Sequence, residues 1–251
     1  MSILVIGSKM VYEQFAQLYD ELMDTSLYAK WATYVTDHMP VPGSILELGC
    51  GSGQLGIQLA QKGYNVTGLD VSIDMLTLAQ QRQQEMGVHF PLIQRDMTDL
   101  SGFDHFSAVI SFNDSFCYLR QPADLRAVLK QSYYALRAGG VLMFDVHSVQ
   151  KMESFADYSY HGEVNGQLLV WDSYAGEEPL SCEHDIRIFL QREDGLYERY
   201  DECHYERTYP IAVYQELLAE AGFVDVEVTG DFLPSLLPEA DRWFFKAVKK
   251  G

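Results

Sequence analysis

Ser44-Ile45-Leu46-Glu47-Leu48-Gly49-Cys50-Gly51-Ser52-Gly53-Gln54-Leu55-Gly56 is the stretch whose reading decides the fold. A short apolar strand, Ile45 to Leu48, runs into glycines, and a helical segment from Gln54 to Lys62 follows and stops at Gly63. Strand, glycine turn and helix open a βαβ unit. Downstream the alternation continues. Asn65 to Leu69 reads as a strand ending at Asp70, and Ser72 caps a helix to about Met86 with Gly87 at its end. Val88 to Ile93 and Phe106 to Phe112 read as strands. Pro122 starts a helix with Leu125, Val128, Leu129, Tyr133 and Leu136 on one face; Gly139-Gly140 ends it, and Val141 to Val146 is a fifth strand. This pattern predicts a doubly wound, Rossmann-like α/β sheet that binds ligands beyond the C-terminal ends of its strands.

The flanks differ in texture. Tyr12, Phe15, Ala16, Tyr19 and Leu22 recur at helical spacing, and so do Leu27, Trp31, Tyr34, Val35 and His38, so residues 1–42 read as an N-terminal helical cap. Residues 151–210 break the alternation. Leu168 to Tyr174, Glu183 to Arg192 and Tyr197 to Tyr209 read as antiparallel strands, with Glu193-Asp194-Gly195 turning between the last two. They are expected to form an inserted β lid over the strand ends. After Pro210 a helix (Ile211 to Ala221) and strands at Val224 to Val228 and Trp243 to Val248 complete a seven-stranded sheet, so 43–150 and 211–251 form the ligand-binding core.

The charge balance narrows the partners. Eighteen Lys plus Arg against thirty-six Asp plus Glu leave −18 over 251 residues, which repels nucleic acid and anionic membrane surfaces. Half of that imbalance sits in 151–210, where fourteen acids face five basic residues among interleaved aromatics. A lid of this kind favours a cationic or neutral small molecule, with aromatic faces for cation contact. The four cysteines are widely spaced, with no C-x-x-C pair, and no His, Cys and Asp cluster shows metal-ligand spacing, so no metal is expected. The longest apolar run near the N-terminus is four residues, and a cytoplasmic protein is the expectation. A homodimer is the assembly to test.

Gly51, Gly53 and Gly56 make a literal G-x-G-x-x-G, and Asp70 follows Gly51 by nineteen residues. That pattern alone also fits a dinucleotide site. Glu47 separates the readings, because a buried carboxylate beside the loop disfavours a pyrophosphate and favours a ligand bearing an ammonium and a sulfonium. S-adenosylmethionine is such a ligand.

On these residues the chain resembles the class I S-adenosylmethionine-dependent methyltransferases. Ile45 to Gly53 is similar to their first motif, Val66 to Ser72 to the second-strand motif, Gln94-Arg95-Asp96-Met97 to the third strand end, and Phe106 to Phe112 to the fourth strand. Leu136-Arg137-Ala138-Gly139-Gly140 resembles the entry to the fifth strand, with Ala138 where proline is usual. Tyr12 to Ala16 with Tyr19-Asp20 resembles the N-terminal signature of a bacterial subgroup, the YqeM-like methyltransferases. The resemblance implies a cofactor set of Tyr12, Glu47, Gly49, Gly51, Gly53, Asp70, Val71, Met75, Asp96, Met97, Ser111 and Asn113. Asp70 would take the ribose hydroxyls, Met75 would pack on the adenine, Asp96 would accept from its amino group, and the Met97 amide would face the ring. Ser111 and Asn113 would approach the methionyl end, and Tyr12 would close the pocket.

His147, two residues past Asp145 at the fifth strand's end, is the expected general base, with His184 and His204 on the lid strands as weaker candidates. The expected reaction is in-line methyl transfer to an N or O nucleophile of a small molecule. The alternatives are an NAD-dependent oxidoreductase and a catalytically silent S-adenosylmethionine-binding interaction protein.

Overall fold

The computed structural model describes residues 26–164, 166–192 and 194–251. At its centre β1 (Ser44–Leu48) lies parallel to β2 (Asn65–Asp70) on one side and to β4 (Phe106–Ser111) on the other. β3 (Leu92–Gln94) extends the sheet beyond β2. β5 (Leu136–His147), β11 (Arg242–Lys249) and β10 (Phe223–Gly230) extend it beyond β4, giving the order β10-β11-β5-β4-β1-β2-β3. β11 is antiparallel to both its neighbours; the pairs from β5 to β3 are parallel. The strand order reverses between β1 and β4, so a crevice opens at their C-terminal ends.

Helices cover both faces. Because side chains alternate across a strand, Ile45, Ala108 and Ile110 pack with Trp31 and Val35 of α1 (Ser26–His38) and with Leu55 and Leu59 of α2 (Gln54–Gln61). Leu46, Leu48, Val109 and Phe144 pack instead with Leu125 and Leu129 of α4 (Pro122–Ala135) and Tyr214 of α6 (Ile211–Ala221). α3 (Ile73–Met86) starts where the Ser72 hydroxyl accepts from the Met75 amide and ends at left-handed Gly87.

A second, antiparallel sheet has the order β6-β7-β8-β9: β6 (Asp157–Val164), β7 (Gln167–Ala175), β8 (Ser181–Gln191) and β9 (Tyr197–Arg207). α5 (Val149–Ser154) leads into it from β5. β6 was not expected from the sequence. It is an edge strand, and in Asp157-Tyr158-Ser159-Tyr160-His161-Gly162 the apolar side chains are the two tyrosines alone. The fifth strand also starts earlier than expected. α4 stops at Ala135, Leu136 is already extended and pairs with Phe106, and the register shifts before Ala108 pairs with Val141. The Gly139-Gly140 pair therefore makes an irregularity within a strand and does not end a helix. β3 is shorter than expected, because Val88 to Phe90 stay outside the sheet. Tyr12 and the rest of the first expected helix lie outside the described residues. No helix among those described is long and apolar enough to cross a membrane.

Candidate active site

The turn after β1 has glycines where it needs them. Gly49 has φ +66°, and a Cβ on it would lie 2.6 Å from the Ser115 hydroxyl. Gly51 also has positive φ, and its amide donates to Asp70 Oδ2 at 2.8 Å, while the Ser72 amide donates to Asp70 Oδ1 at 2.9 Å. Asp70 thus ties the tip of β2 to the turn after β1 and to the start of α3.

Glu47 is 4% exposed, and its Oε2 has no hydrogen-bond partner. It fits because position 56 is glycine, where a Cβ would lie 2.6 Å from that oxygen. Burial, and then the Asp70 charge, push the Glu47 carboxyl up to about 8. An orphaned buried oxygen beside a glycine cradle is the local fit expected for a cationic ligand group.

These residues open into a cavity of about 640 Å³, within the range that small ligands fill. Of the sequence-predicted set, Glu47, Gly49, Gly51, Asp70, Val71 and Met75 line it, as do Asp96, Met97 and Asn113. Asp96 keeps Oδ1 on the Thr98 amide and hydroxyl. Gly53 and Ser111 do not line the wall. Gly53 is the left-handed cap of α2, and Ser111 is fully buried with its hydroxyl donating to the Leu48 carbonyl.

The opposite wall was not assembled by sequence reasoning. Tyr28 and Trp31 come from α1, Ser115 and Tyr118 from the 3₁₀ turn after β4, and Glu202 and His204 from β9. Trp31, read in the sequence as one of the residues at helical spacing, is buried and lines the cavity as well. The β9 residues did carry a signal. Glu202, His204 and Glu206 sit at i, i+2 and i+4 of one strand and share a face.

Behind this wall lies a buried ionic cluster. Asn113 and Asp114 both adopt positive φ at the end of β4. Arg242 of β11 donates bidentately to Asp114 at 2.6 and 2.7 Å and pairs with Asp145 of β5 at 3.0 Å. Asp145 in turn accepts from the Trp31 indole at 2.7 Å and from the Asp114 amide at 3.0 Å. Burial works against the Arg242 charge, but the two carboxylates outweigh it and hold the guanidinium protonated. The cavity wall at Trp31 is therefore anchored to a largely buried ion cluster.

His147 ends β5 as expected; it belongs to this cluster and is not among the residues lining the cavity. Its side chain is 12% exposed, with Nδ1 3.3 Å from Asp114 Oδ1 and Nε2 3.5 Å from Glu206 Oε2. Burial, and then Arg242, push it down to about 3, so it is neutral and a weak base. The histidine on the wall is His204.

Cys182, His184 and Glu206 are buried, with potential metal-ligating atoms within 4.8 Å of one another. The Trp171 indole, which can only donate, meets His184 Nδ1 at 3.1 Å. A neutral His184 therefore carries its proton on Nε2, the atom facing Cys182 at 3.1 Å. That atom would have to lose its proton to ligate, so we assign no metal to this group.

Comparison with known proteins gives the same family as the motifs. Residues 45–140 match a family model described as a methyltransferase domain. The chain is 39% identical to the methyltransferase-family protein YqeM of Bacillus subtilis (strain 168) over 96% of its own length and 98% of that protein's. It is 27% identical to a dTDP-3-amino-3,6-dideoxy-alpha-D-glucopyranose N,N-dimethyltransferase of Streptomyces fradiae, over 82% of this chain and 78% of that one. Its fold superposes on the crystal structure of an S-adenosylmethionine-dependent methyltransferase from Clostridium acetobutylicum with a TM-score of 0.85. That match has 24% identity and covers 96% of this chain and 100% of the other. With an alignment to YqeM that spans nearly the whole chain, the protein belongs to the S-adenosylmethionine-dependent methyltransferase family, in the YqeM-like group.

Proposed function

We propose that the chain methylates an amine nitrogen of a small molecule. The observation that carries this reading is the continuity of one cavity from the glycine turn and Asp70 to Glu202 and His204 on the lid. When bound, S-adenosylmethionine supplies a methyl group on a positively charged sulfur. Asp70 holds the ribose hydroxyls, while Val71, Met75, Asp96 and Met97 surround the adenine. Glu47, the backbone at Gly49 and Gly51, and Asn113 face the methionyl end. The acceptor sits against Tyr28 and Trp31 of α1 and the Tyr118, Glu202 and His204 group that joins the turn after β4 to the lid. The lid's contribution to that wall includes a carboxylate and no Lys or Arg, which suits a cationic amine. The Streptomyces fradiae relative, named for dimethylating an amino sugar, supports the same acceptor chemistry. The protein's main work is then to align donor and acceptor and to exclude water.

Two measurements test this. Asp70→Ala is expected to weaken S-adenosylhomocysteine binding by roughly 10²-fold, since two hydrogen bonds to a charged group are lost. Calorimetry showing less than about a tenfold loss would remove Asp70 from the ribose site. For the acceptor, small amines are expected to bind the S-adenosylhomocysteine complex more tightly than matched carboxylates. Equal or tighter carboxylate binding would reject the cationic reading.

A further inference from the structure

His204 of β9 lies between two partners on the cavity wall. Its Nδ1 is 3.0 Å from the Tyr118 hydroxyl, and its Nε2 is 2.9 Å from Glu202 Oε2. Tyr118 comes from the turn after β4, so the trio spans core and lid. All three residues line the same cavity. The protons can be assigned. Glu202 accepts, so a neutral His204 carries its proton on Nε2 and presents the Nδ1 lone pair to Tyr118. Tyr118 also meets Glu206, whose carboxyl is pushed up to about 8 by burial and then by Asp114. The Tyr118 hydroxyl thus faces both His204 Nδ1 and the Glu206 carboxyl.

We propose that Tyr118, His204 and Glu202 form a proton-relay triad that prepares the acceptor amine for methylation. This rests on the reading of the cavity as the acceptor site. The acceptor enters as an ammonium. One N–H proton passes to the Tyr118 oxygen as the phenol proton passes to His204 Nδ1, leaving a neutral amine and an imidazolium held by Glu202. The amine lone pair then forms the bond to the methyl carbon, and the electron pair of the broken carbon–sulfur bond stays on sulfur. The positive charge leaves sulfur and appears on the methylated nitrogen, so charge is conserved. Glu202 fixes the tautomer and stabilises the imidazolium, as the third member of such a chain does.

The test uses the full chain with ¹⁵N-labelled histidine and bound S-adenosylhomocysteine. Signals lost in His204→Gln identify His204. The triad requires a protonated Nε2 and an unprotonated, hydrogen-bonded Nδ1, with the Nδ1 shift moving in Tyr118→Phe and mixed tautomers in Glu202→Gln. A proton on Nδ1, unmoved by Tyr118→Phe, would overturn the proposal. A second arm follows labelled methyl transfer from S-adenosylmethionine into a small-molecule extract. His204→Gln and Tyr118→Phe are each expected to lower product formation by about 10²-fold or more, with S-adenosylhomocysteine affinity within about twofold of wild type. A variant that keeps more than about a tenth of the wild-type yield rejects the triad while the acceptor site stands. A wild-type chain that labels nothing rejects the acceptor reading instead, and the tautomer measurement still decides the proton arrangement.

Discussion

Arg242→Met is expected to lower folding stability by about 3–5 kcal/mol, the usual cost of breaking a buried ion cluster from one side. The substitution keeps much of the side chain's length and apolar stem but removes the charge. Asp114 and Asp145 would then face each other inside the protein with no cation between them. For a chain of this size the melting temperature should fall by roughly 6–20 °C. Adding Asp145→Asn should recover part of the loss, because the second buried charge is then gone. Lys246→Met provides the contrast. Its partner Glu227 is 56% exposed, so its loss should cost less than about 1 kcal/mol. Arg242→Met should also weaken S-adenosylhomocysteine binding, since Asp145 holds the indole of Trp31 on the cavity wall. A melting temperature within about 2 °C of wild type would show that the cluster is not the anchor described.

This cluster marks where the sequence stops being legible. The glycine turn and Asp70 could be read from local spacing at strand ends, while Met75 and Asp96 were implied by the resemblance of their motifs to the methyltransferase family. Trp31, Asp114, Asp145 and Arg242 lie on four separate segments, and only the closed sheet brings them together. Asp145 and His147 have even spacing on β5 and were both visible as strand-end polar residues. Whether they faced the cavity or the interior depended on β11, which pairs Arg242 with His147. Tyr118 and His204, eighty-six residues apart, meet only because β9 folds back over the 3₁₀ turn. The edge strand β6 escaped notice for a different reason. Its period-2 signal is only Tyr158 and Tyr160, and Tyr160 is 44% exposed, so the pattern is weaker than in the inner strands.

Glu47→Gln should show the opposite sign of stability change from Arg242→Met, with a dependence on pH that identifies its cause. The carboxyl is pushed from its ordinary value of 4.5 to about 8 by burial and by Asp70. A raised acid keeps its proton in the folded chain while the unfolded chain loses it, so the unfolded state binds fewer protons between about pH 4.5 and 8. Stability therefore falls as pH rises across that window. The wild type should lose on the order of 4 kcal/mol to this group by pH 8, and the variant should lose none of it. Melting curves at pH 5 and pH 8 should show the variant gaining on the wild type at the higher pH. Parallel pH dependences would reject the raised carboxyl. The same group explains why a strained acid is kept beside the glycine turn. A cation next to Glu47 favours its ionised form, so binding S-adenosylmethionine at pH 7 should release part of a proton from the wild type. Calorimetry in two buffers of different ionisation enthalpy should detect that release in the wild type and lose it in Glu47→Gln. The variant would thus be the more stable apoprotein and the weaker binder. That pairing is expected of a carboxylate whose burial costs folding energy and whose charge serves the cofactor.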